Sequence, residues 1–301
     1  MLNVLYDGDI FLYAACKAVE QVFTWEEHLH SVVSDSEEAR MKMESDIDAV
    51  HKTIQNWLGK KLNIVVCFSG ADNWRKKVLE SYKAKRIGSI KPLAYRPVRD
   101  WFMKNYDCRI EYGLEADDIM GIESTTSQDD CIIVSEDKDL KGVPGWLFNP
   151  AKDSKPYLIE KHAADYFHMY QALMGDLVDG YSGCPGIGPI SACSVLGDVE
   201  LKQTEEQLWE KVVSAYRKAK LGLEVAQVQA TVARILRVGE WDAKKEICLW
   251  TPPSIKTTAP AAPDTIRVES PVSVTVGSST TPVNRDLGSS RRKRSGKSVK
   301  S

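Results

Sequence analysis

Apolar residues along the chain fall into two kinds of run. Leu2–Tyr6, Asn63–Ser69 and Cys131–Ser135 are short stretches rich in Val, Ile and Leu, closed by Asp, Gly or Ser, and they predict buried strands. Between them the apolar positions recur at helical spacing. Strands alternating with helices predict an α/β fold with a mostly parallel central sheet flanked by helices, in which ligands gather beyond the carboxyl ends of the strands. Asp7, Asp72, Asp137 and Asp139 each follow such a strand end.

Thr24 and Glu27 have the spacing of a capping box, so the periodic polar stretch from there to Leu58 predicts helix, broken near Ser34–Ser36. Ala163–Met174 predicts a further helix, and Pro189, after the Gly-rich turn Gly183–Gly188, is a favoured first helical position. Leu208–Leu221 and Ala226–Val238 predict two more amphipathic helices. Past Trp250 the composition turns to Thr, Ser, Pro and Val and ends in Arg291–Arg294 and Lys297, the pattern of a disordered basic tail. These breaks divide the chain into an α/β core (1–160), a helical region (161–250) and a tail (251–301).

A chain of 301 residues with 43% apolar content can bury a substantial core. It has no run of the roughly 18 apolar residues that a membrane span needs, and Leu2–Tyr6 lacks a signal peptide's basic flank and cleavage site. A cytoplasmic protein is therefore expected. The seven cysteines are scattered and never form CxxC, which reads as reduced thiols, not a zinc site. His28 and His30 lie in a polar stretch and read as a solvated face. Formal net charge is −2, but from Thr251 onward there are nine basic and three acidic residues, leaving 31 basic and 39 acidic in the body. An acidic body argues against nucleic acid by charge alone. That objection lifts if carboxylates converge on cations, because bound metal inverts the potential a phosphate meets.

The acidic residues are clustered accordingly. Asp7-Gly8-Asp9, Gly70-Ala71-Asp72, Glu115-Ala116-Asp117-Asp118, Glu136-Asp137-Lys138-Asp139 and Asp176-Leu177-Val178-Asp179 all stand in turn-like or helix-start contexts. An acidic first turn is also what the positive end of a helix favours, so each segment alone has an ordinary explanation. Together they offer the many oxygen ligands that a pair of hard cations requires, with no cysteine among them.

In order along the chain, Asp7-Gly8-Asp9, Tyr82-Lys83-Ala84-Lys85-Arg86, Gly113 to Asp118, Ser135 to Asp139, and Met174 to Gly180 followed by Gly186-Ile187-Gly188 resemble the flap endonuclease and 5′-nuclease family. Asp72 to Lys76 and Lys245 to Trp250 extend the likeness to the phage-encoded 5′→3′ exonucleases of the T-seven-like podoviruses, over roughly residues 1–250. The resemblance implies a PIN-like 5′-nuclease fold with a helical arch segment at about 73–107 and a helix-hairpin-helix element.

It further implies two Mg²⁺ ions, for which Mn²⁺ can substitute. Asp7, Asp72, Glu115, Asp117 and Asp118 would surround one ion, and Asp137, Asp139, Asp176 and Asp179 the other, with Asp9 behind them. Asp7, Asp117 and Asp137 then carry the chemistry together with Lys83, which would neutralise the scissile phosphate, and Arg86, which would grip one. Tyr82 would stack on an unpaired base, and Lys85 completes this basic group. Gly186, Ile187 and Gly188 would hold duplex DNA through backbone N–H groups, with K⁺ at the same turn. Glu136, on the opposite side of an extended strand, reads as a solvated neighbour.

The activity implied is 5′→3′ hydrolysis at duplex 5′ ends, extending to RNA in RNA–DNA hybrids and to 5′ flaps, by a monomer in phage replication and recombination. The tail offers a contact for DNA or a replication protein. The stretch from Arg86 to Cys108 is short, and Pro92 and Pro97 interrupt continuous helix, which favours duplex ends over obligatory threading. Two other readings stand beside this one. Asp7-Gly8-Asp9 also suits a phosphohydrolase with an Asp nucleophile, although Phe11 replaces its usual Thr or Val. The third is a DNA-binding module without catalysis.

Overall fold

A computed structural model describes residues 2–86, 88–127 and 130–254. The chain opens with β1 (Leu2–Asp7), and Asp7 caps α1 (Gly8–Val19) by accepting from Ile10 N at 3.2 Å. Gly8 is needed there, because a Cβ would stand 2.7 Å from Cys67 O and from the Phe68 ring.

Next comes a departure from expectation. Residues 21–33 are a hairpin, β2 (Gln21–Glu26) with β3 (Leu29–Val33), and only then does α2 (Ser36–Leu58) begin. Val22, Phe23, Thr24, Trp25, Val32 and Val33 favour extended backbone, and that outweighs the Thr24–Glu27 capping spacing. Thr24 pairs with His30 across the hairpin, while Asp35 is the true cap, accepting from Glu37 N at 2.8 Å. The break expected at Ser34–Ser36 is the start of the helix. Both strands are exposed, Phe23 and Trp25 included.

β4 (Leu62–Cys67) leads into the short α3 (Arg75–Val78), a 3₁₀ turn at Ala84–Arg86, and α4 (Tyr95–Asn105). Pro97 falls in the first turn of α4, where its missing N–H interrupts nothing. Then follow β5 (Asp107–Arg109), α5 (Ala116–Thr126), β6 (Cys131–Val134), β7 (Gly145–Phe148) and β8 (Tyr157–Ile159). The sheet runs β5-β4-β1-β6-β7-β8, parallel except for β8. β5, β7 and β8 are too short to announce themselves in the sequence.

Strand periodicity builds two cores from the same residues' neighbours. Val4, Tyr6, Val66, Ile132 and Val134 face α1, α2 and α4, while Leu5, Val65, Cys67, Cys131 and Ile133 face α5 and the chain's later segments. α6 (Lys161–Met174), α7 (Pro189–Leu196), α8 (Glu205–Lys218) and α9 (Leu223–Ala233) pack around a third core that contains Leu173, Leu208, Trp209, Val212 and Tyr216. Pro189 starts α7 as expected. α9 ends five residues before Val238, because Arg234 O accepts from Arg75 and Leu236 N donates to Asp118, which holds the chain extended. Two short antiparallel strands, β9 (Trp241–Asp242) and β10 (Ile247–Cys248), follow. Of the tail assigned from 251 onward, residues 255–301 lie outside the described residues. No helix among the described residues is long and apolar enough to cross a membrane.

His168 in α6 is buried, with Nε2 2.8 Å from Ala230 O and its ring against Trp250. That carbonyl must accept, so a proton sits on Nε2, and Arg234 Nη1, 3.4 Å from Nδ1, can only donate, which makes Nδ1 the acceptor of a neutral ring. Burial, reinforced by Arg234, pushes its pKa down to about 3. The unfolded chain therefore binds the extra proton first, and stability falls as pH drops from about 6.5 towards 3, by up to about 1.4 kcal/mol per unit. Urea unfolding between pH 7 and 4 is expected to show a shallower loss in His168→Gln than in the wild type.

Candidate active site

At the carboxyl ends of β1, β4 and β6 lies a cleft of about 370 Å³ lined by Asp7, Asp9, Glu115, Asp117, Asp137, Asp139, Asp176 and Asp179, with Lys83, Arg86 and Lys138 at its side. The placement follows from local structure. Asp7 is the last residue of β1, and Glu115 and Asp117 open α5. Asp137 caps the 3₁₀ turn Lys138–Gly142 by accepting from Asp139 N at 2.9 Å. Asp176 folds its own loop, accepting from Val178 N at 2.8 Å and Asp179 N at 3.2 Å. That loop lies against the segment before the Ala84–Arg86 turn: Lys83 N donates to Asp179 O, and a Cβ on Gly180 (φ 84°) would stand 2.2 Å from Ser81 O.

So many carboxylates in one cleft repel one another. Burial raises the Asp7 carboxyl, helped by Asp9 and Asp137 and opposed by a hydrogen bond from Ser135. Burial also raises Asp117, with Asp7 and Asp137 adding to it. Asp139 is pushed up to about 7 by burial and Asp137, and its Oδ1 is buried with no hydrogen-bond partner. Glu115 differs: burial alone would raise it, but Lys83 and Arg75 bring it down to about 2. Lys83 bridges Glu115 and Asp179, Arg86 reaches Asp179 at 2.7 Å, and Lys138 lies 3.2 Å from Asp176 and 3.9 Å from Asp139. No three His, Cys, Asp or Glu side chains among the described residues close into one metal cage. The donor set is nonetheless all oxygen, and the orphaned Asp139 oxygen and raised carboxyls are what a hard divalent cation would satisfy.

Seven of the nine carboxylates expected to hold metal thus meet in the cleft, and two do not. Asp72 is exposed at φ 66° in a turn whose backbone pairs with Gly113 and Leu114, which carries it outside the lining. Asp118 faces away and is fully buried. Arg75 Nη1 and Nη2 donate to its two oxygens at 2.7 Å each, Trp74 Nε1 donates at 3.1 Å and Leu236 N at 3.1 Å. Its lone pairs are committed, so it locks α5 to α3 and to the segment after α9.

Tyr82 also departs from expectation. It is 4% exposed, its hydroxyl donates to Glu115 Oε2 at 2.8 Å, and Lys83 and Arg75 approach its ring, so it has no free face for a base. Lys85 donates to Leu177 O at 3.3 Å outside the cleft lining, and Gly186, Ile187 and Gly188 form the turn before α7, also outside it. Glu136 is exposed, as its alternation implies. Asp9 is held from behind, accepting from Ser69 N at 2.8 Å and Tyr95 OH at 2.7 Å. Reading the sequence missed Arg75, Lys138, Ser69 and Tyr95. Only Arg75 and Lys138 stood inside quoted motifs.

No protein-family model matches the chain. It is 31% identical over 285 residues to the exodeoxyribonuclease of Enterobacteria phage T3, spanning 83% of this chain and 93% of that protein. It is also 31% identical over 281 residues to the exonuclease of Escherichia phage T7, with the same coverage. Among solved structures, the T5 5′-exonuclease with zinc ions bound is similar at a TM-score of 0.48 and 15% identity, over 77% of this chain and 98% of that one.

Neighbouring carboxylates should respond oppositely to mutation. Asp118→Ala takes from the buried Arg75 charge its bidentate partner, leaving Glu115 at 3.2 Å, and strands Trp74 Nε1 and Leu236 N, so it is expected to cost about 3–5 kcal/mol. Asp117→Asn removes a mutually repelling charge and should leave stability unchanged or raised. Unfolding of both variants in a chelator at pH 8 checks this.

Proposed function

The chain belongs to the family of the T3 and T7 phage exonucleases, and on that premise we propose that it is a divalent-metal-dependent 5′→3′ exonuclease that hydrolyses phosphodiester bonds from the 5′ ends of duplex DNA. The convergence of seven carboxylates from four separate segments on one cleft carries this reading. Asp7, Glu115 and Asp117 would hold one ion, and Asp137, Asp139, Asp176 and Asp179 the other. Mg²⁺ is the proposed metal, with Mn²⁺ as a substitute. When bound, such a pair activates water and stabilises the leaving oxygen.

The protein's own groups do the rest. Lys83 and Arg86 bring positive charge to the cleft's edge, where it can meet a phosphate that the acidic body would repel. Lys83 is now spent on Glu115 and Asp179, and cations on those carboxylates would free its ammonium for substrate. The turn before α7 is the proposed duplex contact: Gly186 adopts φ 77°, and the first N–H groups of α7 have no partner within the helix. K⁺ at this turn, action on 5′ flaps and RNA–DNA hybrids, and a monomeric state belong to the same proposal.

The phosphohydrolase alternative needs Asp9 as a proton donor to the leaving group. Both Asp9 oxygens instead accept, from Ser69 N and Tyr95 OH. That observation favours the nuclease.

End-labelled duplex, flap and hybrid substrates should yield 5′-phosphorylated nucleotides with Mg²⁺ and nothing in EDTA. Release of inorganic phosphate alone would overturn the reading. Asp117→Ala and Asp137→Ala should each abolish cleavage while DNA binding in a shift assay persists, and full activity in both variants would sink the assignment. For Lys83→Ala, single-turnover rates should fall about a hundredfold or more with little change in DNA affinity.

A further inference from the structure

Carboxylates proposed for different ions are joined by a side chain that takes no part in the reading so far. Ser135 follows β6 and is fully buried, and its own N–H donates to Phe148 O on β7 at 3.2 Å. Its Oγ lies 2.7 Å from Asp7 Oδ2 and 3.0 Å from Asp137 N. A hydroxyl has one proton to give. Since the Asp137 N–H must donate to Oγ, the Ser135 proton goes to Asp7.

The hydrogen bonds form a continuous chain. Ile10 N donates to Asp7 Oδ1, Ser135 Oγ donates to Asp7 Oδ2, Asp137 N donates to Ser135 Oγ, and Asp139 N donates to Asp137 Oδ1. Both oxygens of Asp7 are therefore gripped by different elements, which fixes the plane of its carboxylate while leaving a further lone pair on each. The same hydroxyl sets the backbone of Asp137, whose side chain in turn sets Asp139. Parallel pairing of β1 with β6, Tyr6 opposite Val134, is what brings Ser135 beside Asp7.

We propose that Ser135 is a positioning residue for cation binding, one hydroxyl that registers the Asp7 side of the cleft against the Asp137–Asp139 side. This rests on the metal-ligand reading above. Partners that orient ligands from behind typically contribute ten- to hundredfold in metal affinity, and this partner is shared by both clusters.

The test uses the full chain without DNA, titrating Mn²⁺ and following the free ion by electron paramagnetic resonance. Ser135→Ala is expected to weaken Mn²⁺ binding about tenfold or more, while Ser135→Thr, which keeps the hydroxyl, binds as the wild type does. Mg²⁺ for half-maximal cleavage should rise in parallel in Ser135→Ala alone. Wild-type Mn²⁺ affinity in Ser135→Ala overturns the proposal. An equal loss in Ser135→Thr does so too, since it assigns the effect to packing. Asp117→Asn serves as the separate control: if it binds Mn²⁺ like the wild type, the ligand assignment itself falls, whatever Ser135 does.

Discussion

Carboxylates brought together away from water repel each other and resist ionisation, and this molecule gathers seven candidate metal ligands at one end of a sheet. How each is compensated divides the site into two parts. Where an internal cation stands opposite, as Lys83 and Arg75 do for Glu115, the carboxylate is strongly ionised. Where burial and neighbouring carboxylates outweigh any nearby cation, as at Asp7, Asp117 and Asp139, proton affinity rises. The compensated groups tie the fold together, and the uncompensated ones are left with unsatisfied demand for positive charge. A divalent cation meets that demand without burying another side chain.

The architecture supplies the geometry for this. A parallel sheet places all its strand ends on one side, and the chain turns there into helices whose positive ends favour acid. Asp7 and Glu115 serve both purposes, as helix starts and as cleft walls. The segment from Arg75 to Arg86 then reaches over from outside the sheet, and three of its donors, Arg75, Tyr82 and Lys83, converge on the single carboxylate of Glu115. The region that would meet substrate is thereby coupled to the region that would hold metal.

Backbone hydrogen bonds give the cleft its rigidity. Asp137 and Asp176 each accept from N–H groups of their own loops, so their side chains are held by the turns that carry them. Asp9, two residues from Asp7, has its two oxygens held by Ser69 and Tyr95, and it ties α1 to the segment after β4 and to α4. Neighbouring acids thus do different work because the elements around them differ.

Sequence by itself determined the strands β1, β4 and β6, the acidic motifs at their ends and the helix start at Pro189, because strand periodicity, strand-end acids and proline geometry are local properties. It could not separate Asp117 from Asp118. Adjacent residues in a helix's first turn point about 100° apart, and only the arrival of Arg75, 43 positions away, decided which one was buried. Tertiary contacts also decide the surroundings of Tyr82 and Asp72: one is covered by Arg75 and Lys83, the other turned outward by pairing with Gly113 and Leu114. Residues 24–33, expected as helix, form part of a hairpin because their short run of β-branched and aromatic residues inside a polar stretch satisfies either pattern. Motif and periodicity report what a segment can do; long-range pairing of charges and donors chose which of its side chains does it.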